Sequence, residues 1–268
     1  MTQRPEFQDP YCYPGTNILR NKLFIQNAEE LAQAEADITR PAVAELETKR
    51  LRGKYDLPHL QSFHKRIFGP LFTWAGQLRN VEIDKESPFA LSMNILAYAG
   101  DIFGRLARDE FLRGRDQDSF VAGFTELFGD VNALHPFREG NGRTQRAFLG
   151  QLSRDAGYRV DWSKLDPARN HAVSVASVSG NNEPLRHMLA EIVSPLPAGS
   201  GKKSSSGRQA GRSTGLTATG MKPASEVRKG VGAASAGDEG TATGSGRPAI
   251  RYETPSRNQQ RGSGIDGA

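Results

Sequence analysis

The chain has 268 residues, of which 37% are hydrophobic and 24% charged, and its net charge at pH 7 is +5. Residues 200–268 hold eleven Lys or Arg and five Asp or Glu, a net of +6, whereas the first 199 residues hold 24 and 25, a net of −1. The basic character therefore belongs to the C-terminal segment. The first 199 residues give no general electrostatic reason for a direct role with nucleic acid.

The N-terminus lacks the apolar segment of a secretory signal, and no apolar run approaches the roughly 18–20 residues that span a bilayer. The single cysteine, Cys12, excludes an intrachain disulfide and suits a reducing compartment. We expect a cytoplasmic protein with no membrane partner, in which Cys12 is a buried or incidental thiol.

Residues 1–198 show the apolar periodicity of a compact helical domain, so the predicted fold class is all-α. Helices are predicted over 28–52, from 57 onward, over 92–107, from 118 or 119 to 133, and over 144–156, 167–178 and 184–192. Pro41 is expected to kink the first helix or to divide it in two, because proline lacks a backbone N–H.

One segment, residues 80–91, breaks the helical pattern. Val81 and Ile83 alternate with polar residues, a polar turn follows at 84–88, and residues 89–91 are apolar again. This pattern predicts a short β-hairpin, although Pro88 weakens one strand. An edge-like hairpin can also serve as a docking strip for an extended peptide.

Residues 199–268 differ sharply in composition, since they hold fifteen of the 29 glycines and one aromatic residue, Tyr252. Such a segment cannot bury enough apolar area to offset its backbone entropy, so we predict a disordered basic tail. Three interpretations stay open: a tolerated extension, a secretion or transfer signal suited to a type IV system, or a weak contact with nucleic acid or acidic partners.

Residues 135–146, with the sequence HPFREGNGRTQR, concentrate the chemistry of the chain. Gly140, Asn141 and Gly142 can turn successive backbone N–H groups into one concavity, which is an anion-binding nest. Arg143 and Arg146 follow where a helix begins. Two cations are unfavourable at a helix N-terminus unless an anion compensates them, so a phosphate ligand is indicated.

Two further side chains complete this set. Glu139 is a carboxylate beside the phosphate site, and its natural partner there is Mg²⁺. His135 is a base suited to accept a hydroxyl proton near pH 7. Taken alone, His135 and Glu139 would also fit a surface pair or half a zinc site, and Gly-Asn-Gly is a common turn. Their contiguity favours the functional interpretation.

The stretch 135–146 matches the signature His-Pro-Phe-x-Asp/Glu-Gly-Asn-Gly-Arg-x-x-Arg of Fic-domain proteins at every position. The segments at 9–17, 57–60 and 72–79 resemble the bacterial Fic toxin branch in particular. The resemblance covers about residues 8–195 and implies a Fic-type helical bundle with a β-hairpin flap. It also implies an adenylyltransferase that moves AMP from ATP to a protein hydroxyl.

By this resemblance His135 is the catalytic base, Glu139 holds Mg²⁺, and Asn141, between Gly140 and Gly142, contacts the α-phosphate. Arg143 and Arg146 bind the outer phosphates of ATP. The flap would align the target backbone beside the base through Asn80, Val81, Glu82, Ile83, Lys85, Phe89 and Ala90.

Many Fic proteins carry an inhibitory helix with the pattern Ser/Thr-x-x-x-Glu-Gly/Asn. Residues 1–60 do not match it, and the match at Ser235–Gly240 contains Gly237 and would form a poor helix. The resemblance therefore implies a separate small antitoxin, with gyrase or topoisomerase IV subunits as targets. The alternatives are transfer of UMP, phosphocholine or phosphate on the same fold, or an inactive interaction module.

Overall fold

The computed structural model describes residues 8–83 and 89–197. The predicted tail at 199–268, the predicted turn at 84–88 and the flap residue Lys85 lie outside this range. Within it, seven α-helices and one two-stranded sheet are present. The predicted helical fold class is therefore confirmed.

The helices and strands follow the chain in the order α1 (Ala28–Thr48), α2 (Leu57–Phe68), α3 (Ile95–Arg108), α4 (Gln117–Leu134), α5 (Asn141–Asp155), β1 (Tyr158–Val160), α6 (Pro167–Val178), α7 (Glu183–Ile192) and β2 (Val193–Pro195). Three short 3₁₀ turns lie at Ser92–Asn94, Glu110–Leu112 and Trp162–Lys164. No helix in the described ranges combines the length and the hydropathy needed to cross a membrane.

The prediction that Pro41 kinks or divides the first helix is wrong, because α1 runs through it without a break. Proline at this position removes one helical hydrogen bond, the one to the carbonyl of Asp37. Both residues are exposed, so water can bond to that carbonyl. Asn27 caps the start of the helix, because its side chain accepts hydrogen bonds from two first-turn N–H groups.

Two predicted helix starts are also displaced. The cap of α4 is Asp116, whose Oδ1 accepts the N–H of Ser119 at 2.9 Å, and not Asp118 or Ser119. Helix α5 begins at Asn141, three residues before the predicted start at Thr144. The reason is Gly140, which adopts φ 79° and turns the chain directly into the helix.

Helix α5 lies at the centre of the domain and packs against α1, α2, α4 and β1. Its inward face carries Phe148, Leu149 and Leu152, all fully buried. Phe63 of α2 meets the ring of Phe148 edge-on at 5.7 Å between centroids. Burial of such rings is a major driving force for folding. Their packing sets the position of α5 relative to α2 and α4.

A small sheet, absent from the sequence predictions, follows α5. Strand β1 pairs antiparallel with β2, with Val160 opposite Val193 and Tyr158 opposite Pro195. Each strand has three residues, too few for an alternating pattern to identify it. The pairing joins the end of α5 to the end of α7 and completes the domain core.

Candidate active site

The chemistry-bearing residues lie on the short loop His135–Gly140, between the C-terminal end of α4 and the N-terminal end of α5. His135 ends α4 in the left-handed conformation, at φ 40° and ψ 60°. The following Pro136 disfavours the right-handed helical conformation at this residue, so the Leu134-His135-Pro136 sequence ends the helix. The loop thus brings the predicted base to one helix end and the predicted anion-binding turn to the next.

The side chain of Asn141 closes this loop. Its Oδ1 accepts the N–H of Phe137 at 2.9 Å, and its Nδ2 donates to the carbonyl of Phe137 at 2.8 Å. The amide is buried and both of its ends are used. Of the groups on Asn141, the backbone N–H at the start of α5 is therefore the one left to face a phosphate.

A buried histidine that the sequence did not single out anchors the loop from α2. His64 lies between the rings of Phe137 and Phe68, at centroid distances of 4.0 and 4.8 Å. Its Nδ1 accepts the N–H of Gly76 at 2.8 Å, so Nε2 carries the proton and donates to the carbonyl of Glu139 at 2.9 Å. His64 thereby fixes the loop in place as a neutral imidazole.

This arrangement predicts acid sensitivity. Burial, with a smaller effect from the charge of Arg143, lowers the pKa of His64 to about 4. The unfolded chain takes up this proton at the ordinary pKa near 6.5, so the contribution of His64 to stability is complete above pH 6.5. It falls as the pH drops toward 4, by about 3 kcal/mol in total.

Urea unfolding from pH 7 to pH 4 measures this loss. His64→Gln is the comparison, because it has no titrating group and should show a flatter decline. His59, whose pKa burial also lowers, contributes equally to both proteins. Equal slopes for the two proteins would contradict the assignment.

Gly140 fits its position closely. A Cβ atom on this residue would lie 2.3 Å from two ring carbons of Phe68. Its N–H donates to Oε1 of Glu139 at 3.0 Å. Gly142, in contrast, is exposed, and its nearest neighbour is a guanidinium nitrogen of Arg146. The loop therefore allows only glycine at 140, while 142 is open toward the space over the helix end.

Arg143 is held by α1. Its guanidinium forms an ion pair with Glu35, donates to Oγ1 of Thr39 at 3.2 Å, and lies over the ring of Phe68 at 4.7 Å. Glu35 and Thr39 lie more than 100 positions away in the sequence and Phe68 lies 75 positions away, and no local pattern predicted these contacts. They orient one motif arginine before any ligand binds.

Arg146 differs from Arg143, because it forms no hydrogen bond or ion pair with any residue that the structure describes. Burial and the charge of Arg143 lower its pKa. A partly buried cation without a counter-charge is unfavourable unless a ligand supplies one. Beside it, between α1 and α5, a cavity of about 80 Å³ is lined by residues that include Val43, Leu46, Arg143, Arg146, Arg154 and Trp162.

Glu139 is half-buried at the edge of the loop. In the described part of the chain, no three His, Cys, Asp or Glu side chains come together as a metal cluster. Mg²⁺ is often bound by one or two carboxylates together with substrate phosphates, so a single carboxylate beside the α5 terminus is compatible with it. With one carboxylate from the protein, a bound Mg²⁺ would take most of its other ligands from phosphate oxygens of the nucleotide and from water.

The imidazole of His135 is half-buried and stacks on Phe89, with centroids 3.8 Å apart and planes 17° from parallel. Its Nδ1 lies 3.3 Å from the carbonyl oxygen of Asn132. Phe89 belongs to the predicted flap, so the structure brings one flap residue directly onto the base.

The described parts of the flap, residues 80–83 and 89–91, are called the flap arms. Neither arm is assigned as a strand. Glu82 links the first arm to the residue that directly follows the second arm, because its Oε1 accepts the N–H and the hydroxyl of Ser92 at 2.9 and 2.6 Å. Ala90 donates its N–H to the carbonyl of Ala133 at 2.9 Å, which fixes the second arm to α4.

The N-terminal segment also reaches the loop. Nε of Arg138, the variable position of the motif, donates to Oδ2 of Asp9 at 2.7 Å, and the N–H of Asn80 contacts the hydroxyl of Tyr11 at 3.4 Å. Asp9 and Tyr11 belong to the segment 9–17, which resembles the Fic toxin branch. That resemblance is the one feature of the sequence that pointed to a role for these two residues near the loop.

Comparison with known proteins gives a consistent result. Residues 54–153 match the family model described as "Fic/DOC family". The chain is 40% identical over 176 residues to "Protein adenylyltransferase VbhT" of Bartonella schoenbuchensis, covering 65% of this chain and 37% of that one. It is 38% identical to "Probable protein adenylyltransferase y4lH" of Sinorhizobium fredii, covering 69% of this chain and 96% of that one.

Solved structures agree. The fold resembles BepC of Bartonella tribocorum with bound AMPPNP, with a TM-score of 0.65 and 25% identity over 69% of this chain and 97% of that one. It also resembles the N-terminal Fic domain of a VirB-translocated Bep effector from Bartonella quintana with bound ADP, with a TM-score of 0.65 and 29% identity over 70% of this chain and 95% of that one.

Proposed function

The chain belongs to the Fic/DOC family and is a protein adenylyltransferase, and from this premise we propose that it modifies a hydroxyl of a bacterial type II topoisomerase subunit and acts as a toxin. The observation that best supports this chemistry lies at the junction of α4 and α5. There a histidine stacked on the flap arm lies on the same loop as an anion-binding helix terminus.

The ATP side of the site is proposed at the start of α5. The first N–H groups of this helix lack helical partners, and Gly142 leaves the approach to them open. Arg146 supplies a guanidinium that has no counter-charge among the described residues, and Arg143 supplies one already oriented by Glu35. The nucleotides bound by the similar Bep proteins support this assignment.

The acceptor side is proposed at His135. A proton on Nδ1 shared with the carbonyl of Asn132 leaves Nε2 as the acceptor for the proton of the target hydroxyl. The flap arms would hold the target backbone alongside. Positioning and charge neutralisation then carry most of the catalysis, as in other phosphate-centred transfers.

Mg²⁺ is proposed to be held by Glu139 together with phosphate oxygens of ATP, where it would neutralise phosphate charge. Glu139→Gln keeps the size of the side chain but removes its charge. We expect the Mg²⁺ concentration for half-maximal transfer to rise at least about tenfold. A Mg²⁺ titration of the initial rate measures this, with exposed Glu29→Gln on α1 as the control. An unchanged Mg²⁺ dependence would remove Glu139 from the metal site.

The target proposal is tested with purified gyrase and topoisomerase IV subunits, each incubated with the protein, Mg²⁺ and ATP labelled at either the α- or the γ-phosphorus. Label from α-³²P-ATP on one of these subunits, with none from γ-³²P-ATP, is the expected result. Label from γ-³²P-ATP would indicate phosphorylation instead.

The same assay separates the remaining alternatives. Label on other proteins of a bacterial lysate, with none on the topoisomerase subunits, would disprove the target proposal alone. Transfer from labelled UTP or CDP-choline in preference to ATP would favour the other group transfers. No transfer from any donor, together with normal growth on expression, would favour an inactive interaction module.

Inhibition by a separate small antitoxin is also proposed. Its helix would insert a glutamate beside Arg146. The guanidinium of Arg146 has no ion-pair partner within residues 8–83 and 89–197, and this fact and the adjacent cavity of about 80 Å³ support the position. A synthetic helical peptide with the Ser-x-x-x-Glu-Gly pattern should inhibit transfer and compete with ATP, whereas its Glu→Ala version should not. Equal effects of the two peptides would contradict the proposal.

Export through a type IV secretion system is proposed as well, with residues 199–268 as the signal. Similar Bep proteins are described as VirB-translocated. A recombinase reporter fused to the full chain should reach recipient cells from a donor with the secretion system, and deletion of 199–268 should abolish the transfer. Transfer without these residues would show that they are not the signal.

A further inference from the structure

Arg79, just before the first flap arm, is a buried arginine that contacts three separate parts of the site. Its Nε donates to the carbonyl of His135 at 2.9 Å, and its Nη1 donates to the carbonyl of Val81 at 2.9 Å. Nη2 donates to the carbonyl of Ala90. Its backbone N–H donates to the carbonyl of Pro136 at 2.9 Å. One side chain therefore joins the base to both flap arms.

The chemistry of this contact requires a guanidinium. Three carbonyl oxygens from different segments converge on nitrogens that are held in one plane, which is the rigid fork of donors that arginine provides. The ammonium of a lysine is a single point and cannot occupy three such positions at once. Among the described residues, the carboxylate in contact with the guanidinium is that of Glu82, which lies 3.4 Å from Nη1 and is more than half exposed.

Burial of a cation also carries a desolvation penalty. Replacing buried ionic groups with apolar residues of similar volume is often neutral or stabilising, so stability alone does not account for Arg79. Its partners do account for it. Two are the arms proposed to align the acceptor, and the third is the backbone of the residue that takes the proton.

We propose that Arg79 is a positioning residue for the transfer, which fixes the two flap arms in register with His135 so that the acceptor segment and the base share one rigid frame. This inference rests on the proposed role of the flap arms in holding the target. It assigns Arg79 no contact with ATP, because all of its described contacts lie on the acceptor side of the loop.

The test uses Arg79→Lys in the full chain. Arg115→Lys is the matched control, because Arg115 also donates to a backbone carbonyl, that of Ser119 at 3.0 Å. Arg115 lies beyond the other end of α4, about 27 Å from His135 along the helix axis. Glu82→Gln is a milder second variant that leaves the guanidinium in place.

Three measurements separate positioning from general stability. For Arg79→Lys we expect α-³²P-ATP labelling of a bacterial lysate to fall at least about tenfold, while the Kd for AMPPNP stays within about twofold. Amide exchange at Ala90 should accelerate at least about tenfold, with α5 unchanged. Glu82→Gln should shift exchange and labelling in the same direction by a smaller factor, and Arg115→Lys should change neither.

Labelling at the wild-type level, or an AMPPNP affinity that falls together with the labelling, would overturn the proposal. Faster exchange throughout α4 and α5 would also overturn it, because Arg79 would then only stabilise the fold. If the wild-type protein labels nothing, the proposed function fails. The exchange at Ala90 relative to α5 still decides whether Arg79 couples the arms to the loop.

Discussion

His135→Ala is expected to lower the rate of AMP transfer by about 10²–10⁴-fold, the range that a general base usually contributes. Folding should be little affected, because the loop is held by backbone contacts of this residue and by the side chains of Asn141 and His64. The initial rate with α-³²P-ATP measures the loss, and the Kd for AMPPNP should stay close to that of the wild-type protein.

The control for this variant is His187→Ala on α7, an exposed histidine whose ring nitrogen is 3.7 Å from Glu183. It removes an imidazole without touching the site and should transfer AMP at the wild-type rate. If His135→Ala kept transfer within about threefold of wild type, another group would have to accept the hydroxyl proton.

Gly140→Ala is expected to lower the free energy of unfolding by about 2–5 kcal/mol and to reduce transfer in proportion to the distortion of the loop. Two causes add. An L-residue at φ 79° costs roughly 1–2 kcal/mol, and forcing a methyl group against a packed ring typically costs about 1–3 kcal/mol. The ring is that of Phe68, which also packs under Arg143 and against His64.

Urea unfolding measures the loss, and Gly157→Ala separates the two causes. Gly157 also has a positive φ, 95°, but no atom lies within 4 Å of the position that its Cβ would take. It should therefore show the backbone cost alone. Equal losses at 140 and 157 would mean that the Phe68 contact relaxes without cost.

Much of the fold could be predicted from local patterns. The starts of α2 at Leu57 and of α6 at Pro167 follow from an aspartate cap and from proline in the first turn. Pro41 shows the limit of such rules, because one missing bond on an exposed helix face is not enough to break 21 residues of helix. The three-residue strands depend on a pairing between distant segments, which no local pattern records.

Only part of the active site could likewise be predicted from the sequence. The residues of 135–146 could be identified because they are contiguous and chemically unusual together. His64, Glu35 and Thr39 could not, because their contacts with the loop or with Arg143 join segments that are more than 70 residues apart in the sequence. In the sequence each resembles an ordinary residue of an amphipathic helix. Their roles depend on how α1 and α2 pack against α5.

The loop His135–Gly140 is fixed at its two ends by different parts of the chain. Arg79 bonds to the carbonyl of His135, and His64 bonds to the carbonyl of Glu139. The end proposed to face the acceptor and the end proposed to face the nucleotide are thus held by different side chains. If the flap arms hold the target as proposed, changes in them would alter the choice of target while the nucleotide end stays as it is. A protein built in this way would acquire a new substrate through changes in the flap arms, without rebuilding the loop that joins α4 to α5.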